Sequence, residues 1–359
     1  MQNPFTSTYG IKPELYIQSD SMDDLLENFS HDDPTEKAYM ITGVRGSGKT
    51  VLLADLSERM KGMSFWEVIN INPAGNMLAS LASKLYDIGF IHSYLADAKI
   101  DISFMGIGVS VKSGRDKVFN IETAIEKMLD GARKEGKKIL ITIDEASPSE
   151  EMEAFCLEYQ ALIRERYPVF LIMTGLYQNI DSLSNMKKCT FLTRTPRIRL
   201  SSLDESSIAV IYKKILNVTK ENSIKMAELT KGYAYAFQTL GRICFEMISK
   251  DQDPFEDEIM EDLLFQYESE LIRYSYRKIW SELSEKDIDV IKAMVKLNGD
   301  GPVKREELMK ETGFSSSMMN RYRQRLMDKG LITTSKEEYG SYSFALPMFS
   351  SFVRDYYMD

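Results

Sequence analysis

Gly43-Val44-Arg45-Gly46-Ser47-Gly48-Lys49-Thr50, preceded by Tyr39-Met40-Ile41-Thr42 and followed by the apolar Val51-Leu52-Leu53, reads as strand, glycine-rich loop and helix. The spacing G-x-x-x-x-G-K-[ST] gives its residues separate tasks. The glycines let the backbone curl until successive N–H groups point at phosphate oxygens. Lys49 reaches the β- and γ-phosphates and Thr50 holds Mg²⁺. The helix beginning near Val51 turns the positive end of its dipole towards the same anion. Gly43, Val44, Arg45, Gly46, Ser47, Gly48, Lys49, Thr50 and Val51 are therefore the expected ATP/ADP-binding set. Arg45 either braces the loop or faces a neighbouring subunit.

A second stretch supplies the carboxylates this chemistry needs. Ile139-Leu140-Ile141-Thr142-Ile143 is a continuous apolar run, as expected of a strand buried on both faces of a parallel sheet, and it ends in Asp144-Glu145. Ligands of such sheets bind at the carboxyl ends of the strands. Asp144 is thus placed to hold the magnesium with Thr50, and Glu145 to polarise an attacking water. Taken alone, Asp-Glu could equally cap the next helix, as could Ser147-Pro148-Ser149-Glu150.

The chain has 359 residues, 43% hydrophobic and 28% charged, and is long enough for two or three domains. No apolar run approaches the roughly 20 residues of a membrane span, and the N-terminus lacks a basic flank and an apolar stretch. No membrane association is expected, and a cytoplasmic location is. Three scattered cysteines, Cys156, Cys189 and Cys244, read as buried thiols of a reducing compartment. Two histidines argue against a histidine metal site. A net charge of −9 confines any nucleic-acid contact to a local basic patch.

Strand patterns recur at Tyr39–Thr42, Phe65–Asn70, Ile139–Ile143 and Val169–Thr174, with helical patterns between them. This predicts an α/β fold, a P-loop-type parallel sheet with helices on both faces, over residues 1–203. A short helix is expected near Met22–Phe29. Residues 100–114 alternate around glycines and read as an inserted β-hairpin. An all-α lid is expected over 204–280, with helices near Glu205–Leu216, Ile224–Thr230, Tyr235–Ser249 and Asp257–Trp280. Residues 281–359 read as a winged helix: a helix capped by Ser284, a second over Arg305–Glu311, a third capped by Ser315 or Ser316, and strands Leu331–Thr334 and Ser341–Leu346 around a wing.

With these residues in view, the chain resembles P-loop ATPases of the AAA+/STAND border, the archaeal-type group close to origin-recognition initiators. The resemblance rests on the loop and Ile143-Asp144-Glu145-Ala146. It extends to Asn3-Pro4-Phe5, Pro13-Glu-Leu-Tyr-Ile17, Met173-Thr174-Gly175-Leu176, Lys231-Gly232-Tyr233-Ala234-Tyr235 and Tyr342-Ser-Phe344-Ala-Leu346-Pro347. It implies ATP hydrolysis driving a switch. Ile17 would contact adenine, and Thr174 would sense the γ-phosphate beside Glu145 and Lys49. Asn70 or Asn72 would lie near the catalytic glutamate. Arg194, Arg197 and Arg199 are candidate arginine fingers, of use in self-association. Tyr235 stands where relatives often carry a lid arginine, with Arg242 as a conceivable substitute.

The expected output is double-stranded DNA, contacted through Ser316, Asn320, Arg321, Gln324 and Arg325, side chains of the kinds that read base edges. Residues 315–329 carry four basic residues against one acidic. Residues 281–359 as a whole carry 12 against 13, so a protein partner is the alternative.

Overall fold

The computed structural model describes residues 2–6, 12–18, 21–31, 34–98, 100–101, 116–117, 120–335 and 338–358. The chain divides into two compact units. One comprises Asp20–Thr42 and Lys49–Ile198; the other gathers Met1–Ser19, Gly43–Gly48 and Arg199–Asp359.

The first unit is the α/β layer. Helix α1 (Ser21–Ser30) leads into strand β1 (Ala38–Thr42), followed by α2 (Lys49–Lys61), β2 (Trp66–Ile71), α3 (Met77–Tyr86) and α4 (Gly89–Asp97). Two short strands, β3 (Ile100–Asp101) and β4 (Asp116–Lys117), precede α5 (Ile121–Lys134), β5 (Lys138–Ile143), α6 (Glu150–Arg164), β6 (Val169–Gly175), α7 (Tyr177–Ser184), a 3₁₀ turn (Thr190–Thr193) and β7 (Arg197–Arg199). The five-stranded sheet runs β2-β5-β6-β1-β7. The β2–β5, β5–β6 and β6–β1 pairs are parallel. All four expected strands are present. The burial pattern explains their legibility: β6 is buried at every position and β5 at all but its first. Phe29, Trp66 and Phe170 stack or meet edge-on at 4.7–5.8 Å between ring centroids.

Of the expected hairpin at 100–114, Ile100 and Asp101 lie in β3 and the rest lies outside the described residues. Strand β3 pairs with β4 in parallel, Ile100 beside Asp116, so these two strands are not the two arms of a hairpin, which would run antiparallel. Strand β7 was missed as a strand. Its three residues alternate exposed and half-buried at a sheet edge, too short for a period-2 signal.

The second unit begins with α8 (Glu205–Leu216), α9 (Lys220–Thr230), α10 (Ala234–Ile248) and α11 (Asp257–Leu271). Asp204 and Thr219 cap the first two through side-chain oxygens. A π-helical turn at Ile272–Tyr276 separates α11 from α12 (Arg277–Ser281), where one continuous helix was expected. Then come α13 (Glu285–Asn298), β8 (Val303–Lys304), α14 (Arg305–Thr312), α15 (Ser316–Asp328), β9 (Ile332–Thr334), β10 (Ser341–Phe344) and α16 (Phe349–Tyr357). The strands form an antiparallel sheet in the order β8-β10-β9. Ser284 makes a capping box with Asp287, and Ser315 caps α15. Strand β8 and helix α16 carry no signal the sequence reading used.

One hydrophobic core runs through this unit, from Phe5 and Tyr212 to Phe344 and Phe352. Phe5 packs into it edge-on to Phe237, over Gly241, where a Cβ would meet the Phe5 ring at 2.4 Å. The side chain of Asn3 donates to the Arg242 carbonyl and that of Gln238 to the Leu15 carbonyl, fastening the N-terminal segment to α10. Ile17 packs half-buried against the same core.

Candidate nucleotide site

Sheet order decides which residues meet. Strand β6 lies between β1, which runs into the glycine loop, and β5, which runs into Asp144. The register sets Ile41 beside Thr174 and Ile143 beside Met173. Asp144 therefore sits next to Thr174, and one carboxylate serves two hydroxyls. Thr50 Oγ1, on the first turn of α2, donates to Asp144 Oδ2 at 2.7 Å, and Thr174 Oγ1 donates to Asp144 Oδ1. Thr174 is fully buried, Asp144 half-buried and Glu145 exposed. Glu145 holds a left-handed backbone, φ 54°, with its N–H on Asp144 Oδ1 at 3.0 Å. Such a conformation costs a non-glycine residue about 1–3 kcal/mol and collects at functional sites. The N–H of Ala146 donates to the Thr174 carbonyl at 2.8 Å and clips the two strand ends together.

Asn70 is joined to this strand system: it takes the Thr142 hydroxyl on its side-chain oxygen and the Lys84 ammonium on its carbonyl. Asn72 instead accepts the Ala74 N–H at 2.9 Å, a local turn contact. Of the two asparagines, Asn70 is the one linked to the strand that ends in Asp144.

The loop residues Gly43–Gly48 pack within the helical unit. Tyr233 Oη donates to the Arg45 carbonyl at 2.5 Å and lies 2.7 Å from Ser275 Oγ; burial pushes its phenol above the ordinary range. The Tyr235 N–H donates to the Gly46 carbonyl at 3.1 Å. Gly46 has φ +78°, and a Cβ there would fall 2.2 Å from Tyr233 Oη, so both the turn and the close approach require glycine. Gly48 also has positive φ. Arg45 pairs with Glu282 at 3.4 Å, so within this unit it braces the loop. Val44 lies near Gly330, where a Cβ would approach its side chain at 3.5 Å. Ser47 Oγ is buried with no hydrogen-bond partner, an orphan donor in the loop.

The residues present fit Mg·ATP. Oxygen ligands from Thr50 and Asp144 converge, as a hard divalent cation requires. The turned glycines and the orphan Ser47 hydroxyl suit phosphate oxygens. Among the described residues there is no cluster of three or more His, Cys, Asp or Glu side chains that could hold a metal ion.

The remaining expected residues separate. Arg197 pairs with Asp181 and Arg199 with Asp328, at 3.4 and 3.7 Å, while Arg194 is exposed. Arg242 is bound by Glu246 and Glu270, so its charge is already answered by two carboxylates. On α15, Ser316, Asn320, Arg321 and Gln324 are exposed on one face. Ser316 and Asn320 accept from Arg305, and Gln324 donates to Asp328 at 3.0 Å. Arg325 turns the other way, onto the fully buried Asp287 carboxylate and Ser284 Oγ. Arg323 bonds Tyr342 Oη at 2.6 Å, and Lys329 reaches Asp287 at 3.2 Å. Three of the four basic residues that the sequence assigned to a DNA-facing helix are committed to this unit's own side chains, Arg325 and Lys329 to the buried Asp287 and Arg323 to Tyr342. The sequence reading missed Tyr233, Glu282, Asp287 and Arg305. Tyr233 lies within the quoted lid motif, whereas Glu282, Asp287 and Arg305 sit among like acidic and basic residues and carry no motif.

No helix among the described residues is long and apolar enough to cross a membrane. A family model described as a domain of unknown function, DUF8462, matches residues 273–353. No curated protein sequence matches the chain. Among solved structures, the Aeropyrum pernix ORC2 protein, determined as ADPNP–ADP complexes, is 13% identical over 93% of this chain and 90% of that one, with a TM-score of 0.54. Cdc6p from Pyrobaculum aerophilum is 14% identical over 92% and 89%, with a TM-score of 0.47. A Pyrococcus horikoshii STAND protein with a tetratricopeptide repeat sensor is 20% identical over 97% of this chain and 44% of that one, with a TM-score of 0.42. The likeness to the ORC2 protein shows the fold alone: the chain has a P-loop NTPase-type parallel sheet with flanking helices, folded as in that structure.

Proposed function

We propose that the chain is an ATP-binding, slowly hydrolysing switch whose nucleotide state is read out through a C-terminal winged helix. The observation that carries this reading is the Asp144 carboxylate, held at once by the hydroxyls of Thr50 and Thr174 beside Glu145. In this reading Lys49 and the N–H groups of the loop hold the phosphates, and Thr50 and Asp144 hold Mg²⁺. Magnesium, when bound, neutralises charge on the phosphate oxygens. Glu145 accepts the proton of the attacking water, and Thr174 reports the γ-phosphate through its shared carboxylate. Ile17 and Tyr235 are the residues proposed to meet the base side of the nucleotide. Arg194, which is exposed, is the arginine proposed to act in trans on a second copy.

The test is direct binding. Lys49→Ala removes a charge-assisted contact worth about 1.5–3 kcal/mol, so Mg·ATP affinity measured by calorimetry is expected to fall about 10–150-fold. Unchanged affinity would refute the phosphate role of the loop.

For the output, domain boundaries at 203 and 280 are proposed, with DNA meeting the exposed face of α15. Ser316, Asn320, Arg321 and Gln324 would contact it, joined by Arg305. A duplex contact makes affinity fall steeply with salt, by about 0.9 in log–log slope per neutralised phosphate. Arg321→Ala is expected to flatten that slope by about one such contact, and Arg325→Ala to leave it unchanged because Arg325 is tied to Asp287. Slopes measured across a salt series check both. The inward pairing of Arg323, Arg325 and Lys329 favours the second reading, in which this module docks a protein. A salt-insensitive DNA affinity in the micromolar range or weaker would decide for it.

A further inference from the structure

Cys156 on α6 and Cys189, just before the 3₁₀ turn, are both fully buried in the core of the α/β unit, and neither is in a disulfide. We propose that these two thiols form a reversible dithiol–disulfide pair, a modification site through which oxidant pins α6 to the segment leading into β7. Three contacts hold the partners in register. The Gln160 side-chain amide donates to the Cys156 carbonyl at 3.3 Å and to the Lys188 carbonyl at 2.8 Å. Lys188 pairs with Glu153 at 3.4 Å. The Tyr159 and Phe191 rings lie 5.6 Å apart. Between these braces the two thiols lie close enough for each to shift the other's proton affinity.

The pair is asymmetric. Interaction with Cys156 lowers the pKa of the Cys189 thiol, against the opposing effect of burial, and the Lys188 ammonium adds to the lowering. The same interaction, with burial, pushes Cys156 up. Cys189 is therefore the attacking sulfur, since the thiolate is the nucleophile. It also lies in a short irregular segment between the exposed Lys188 and Thr190, and the reaction requires this segment to open locally to peroxide. The Cys189 thiolate attacks one oxygen of hydrogen peroxide and the O–O bond breaks. The departing hydroxide takes a proton and leaves as water, and Cys189 becomes a sulfenic acid. Cys156 then gives its proton to the sulfenyl oxygen as its sulfur attacks the Cys189 sulfur. The S–O bond breaks, a second water leaves and the S–S bond forms. Two thiols are oxidised by two electrons in all, and one peroxide is reduced by two.

Cys244 is an internal control. It is buried in the other unit's core, and burial pushes its thiol up to about 12. The experiment treats the native full-length chain with hydrogen peroxide, blocks free thiols with N-ethylmaleimide under denaturing conditions, and maps peptides without reductant by mass spectrometry. The expected result is a Cys156–Cys189 linked peptide lighter by two hydrogens. It should be reversed by dithiothreitol and absent in Cys189→Ser, with Cys244 still fully alkylated. Recovery of Cys156 and Cys189 as alkylated or sulfinic residues, or the same mixture of links from chain oxidised in urea, would overturn the proposal. The wild-type measurement stands even if the serine variant folds poorly.

Discussion

Glu145→Gln is expected to lower ATP turnover by about 10²–10⁴-fold, the usual contribution of a positioned general base, while Mg·ATP affinity stays within about threefold. Glutamine keeps the size of the side chain and the backbone N–H that Glu145 places on Asp144. What it lacks is an oxygen that can take a proton from water. The residue already carries a strained backbone, φ 54°, that a helix cap would not need. A steady-state assay of phosphate release, run beside a binding titration, separates the two quantities. Equal turnover in both proteins would show that another group activates the water. Loss of binding together with turnover would show that Glu145 supports the site's structure.

Asp287→Ala is expected to destabilise the C-terminal unit by about 3–5 kcal/mol, the cost of leaving a buried lysine and a half-buried arginine without their counter-ion. The carboxylate is fully buried and takes Arg325, Lys329 and the Ser284 N–H. Lys329 itself is only 8% exposed. Burial alone would raise the Asp287 pKa; the Arg325 and Ser284 hydrogen bonds and the Lys329 charge hold it below its ordinary value. A depressed carboxyl contributes stability that is present above its unfolded pKa, about 3.9, and lost as pH falls through the lower folded value. Denaturant melts of the wild-type chain should therefore weaken below about pH 4, and the variant should lose that part of the acid dependence. A change under 1 kcal/mol at pH 7 would mean that water screens the cluster.

Much of the site was legible because its signals are local. Gly43, Gly46 and Gly48, with Lys49-Thr50 directly after the last, describe a phosphate loop by their spacing. A strand buried on both faces announces itself as an apolar run, and its end then points to Asp144 and Glu145. The starts of two helices followed from caps, Ser284 for one and Ser315 or Ser316 for the other, of which the structure uses Ser315. The second lid helix was placed four residues late because its first turn, Lys220-Glu-Asn-Ser, carries no apolar periodicity.

What the residue order determined by itself is therefore the α/β sheet, its phosphate loop and the carboxylates that end its β5 strand, since each depends on contacts within a few residues or on the alternation of burial along one strand. Tertiary structure alone decided which charges remain available. Arg325 and Arg321 stand four residues apart on one helix and are chemically identical, yet one is anchored on a carboxylate 38 positions earlier and the other faces outward. Tertiary structure also decided that Thr174 shares the carboxylate of Asp144 and that Cys156 meets Cys189. These pairings join residues 30 or more positions apart, and charge, hydroxyl and thiol have no period in the sequence by which to announce a distant partner.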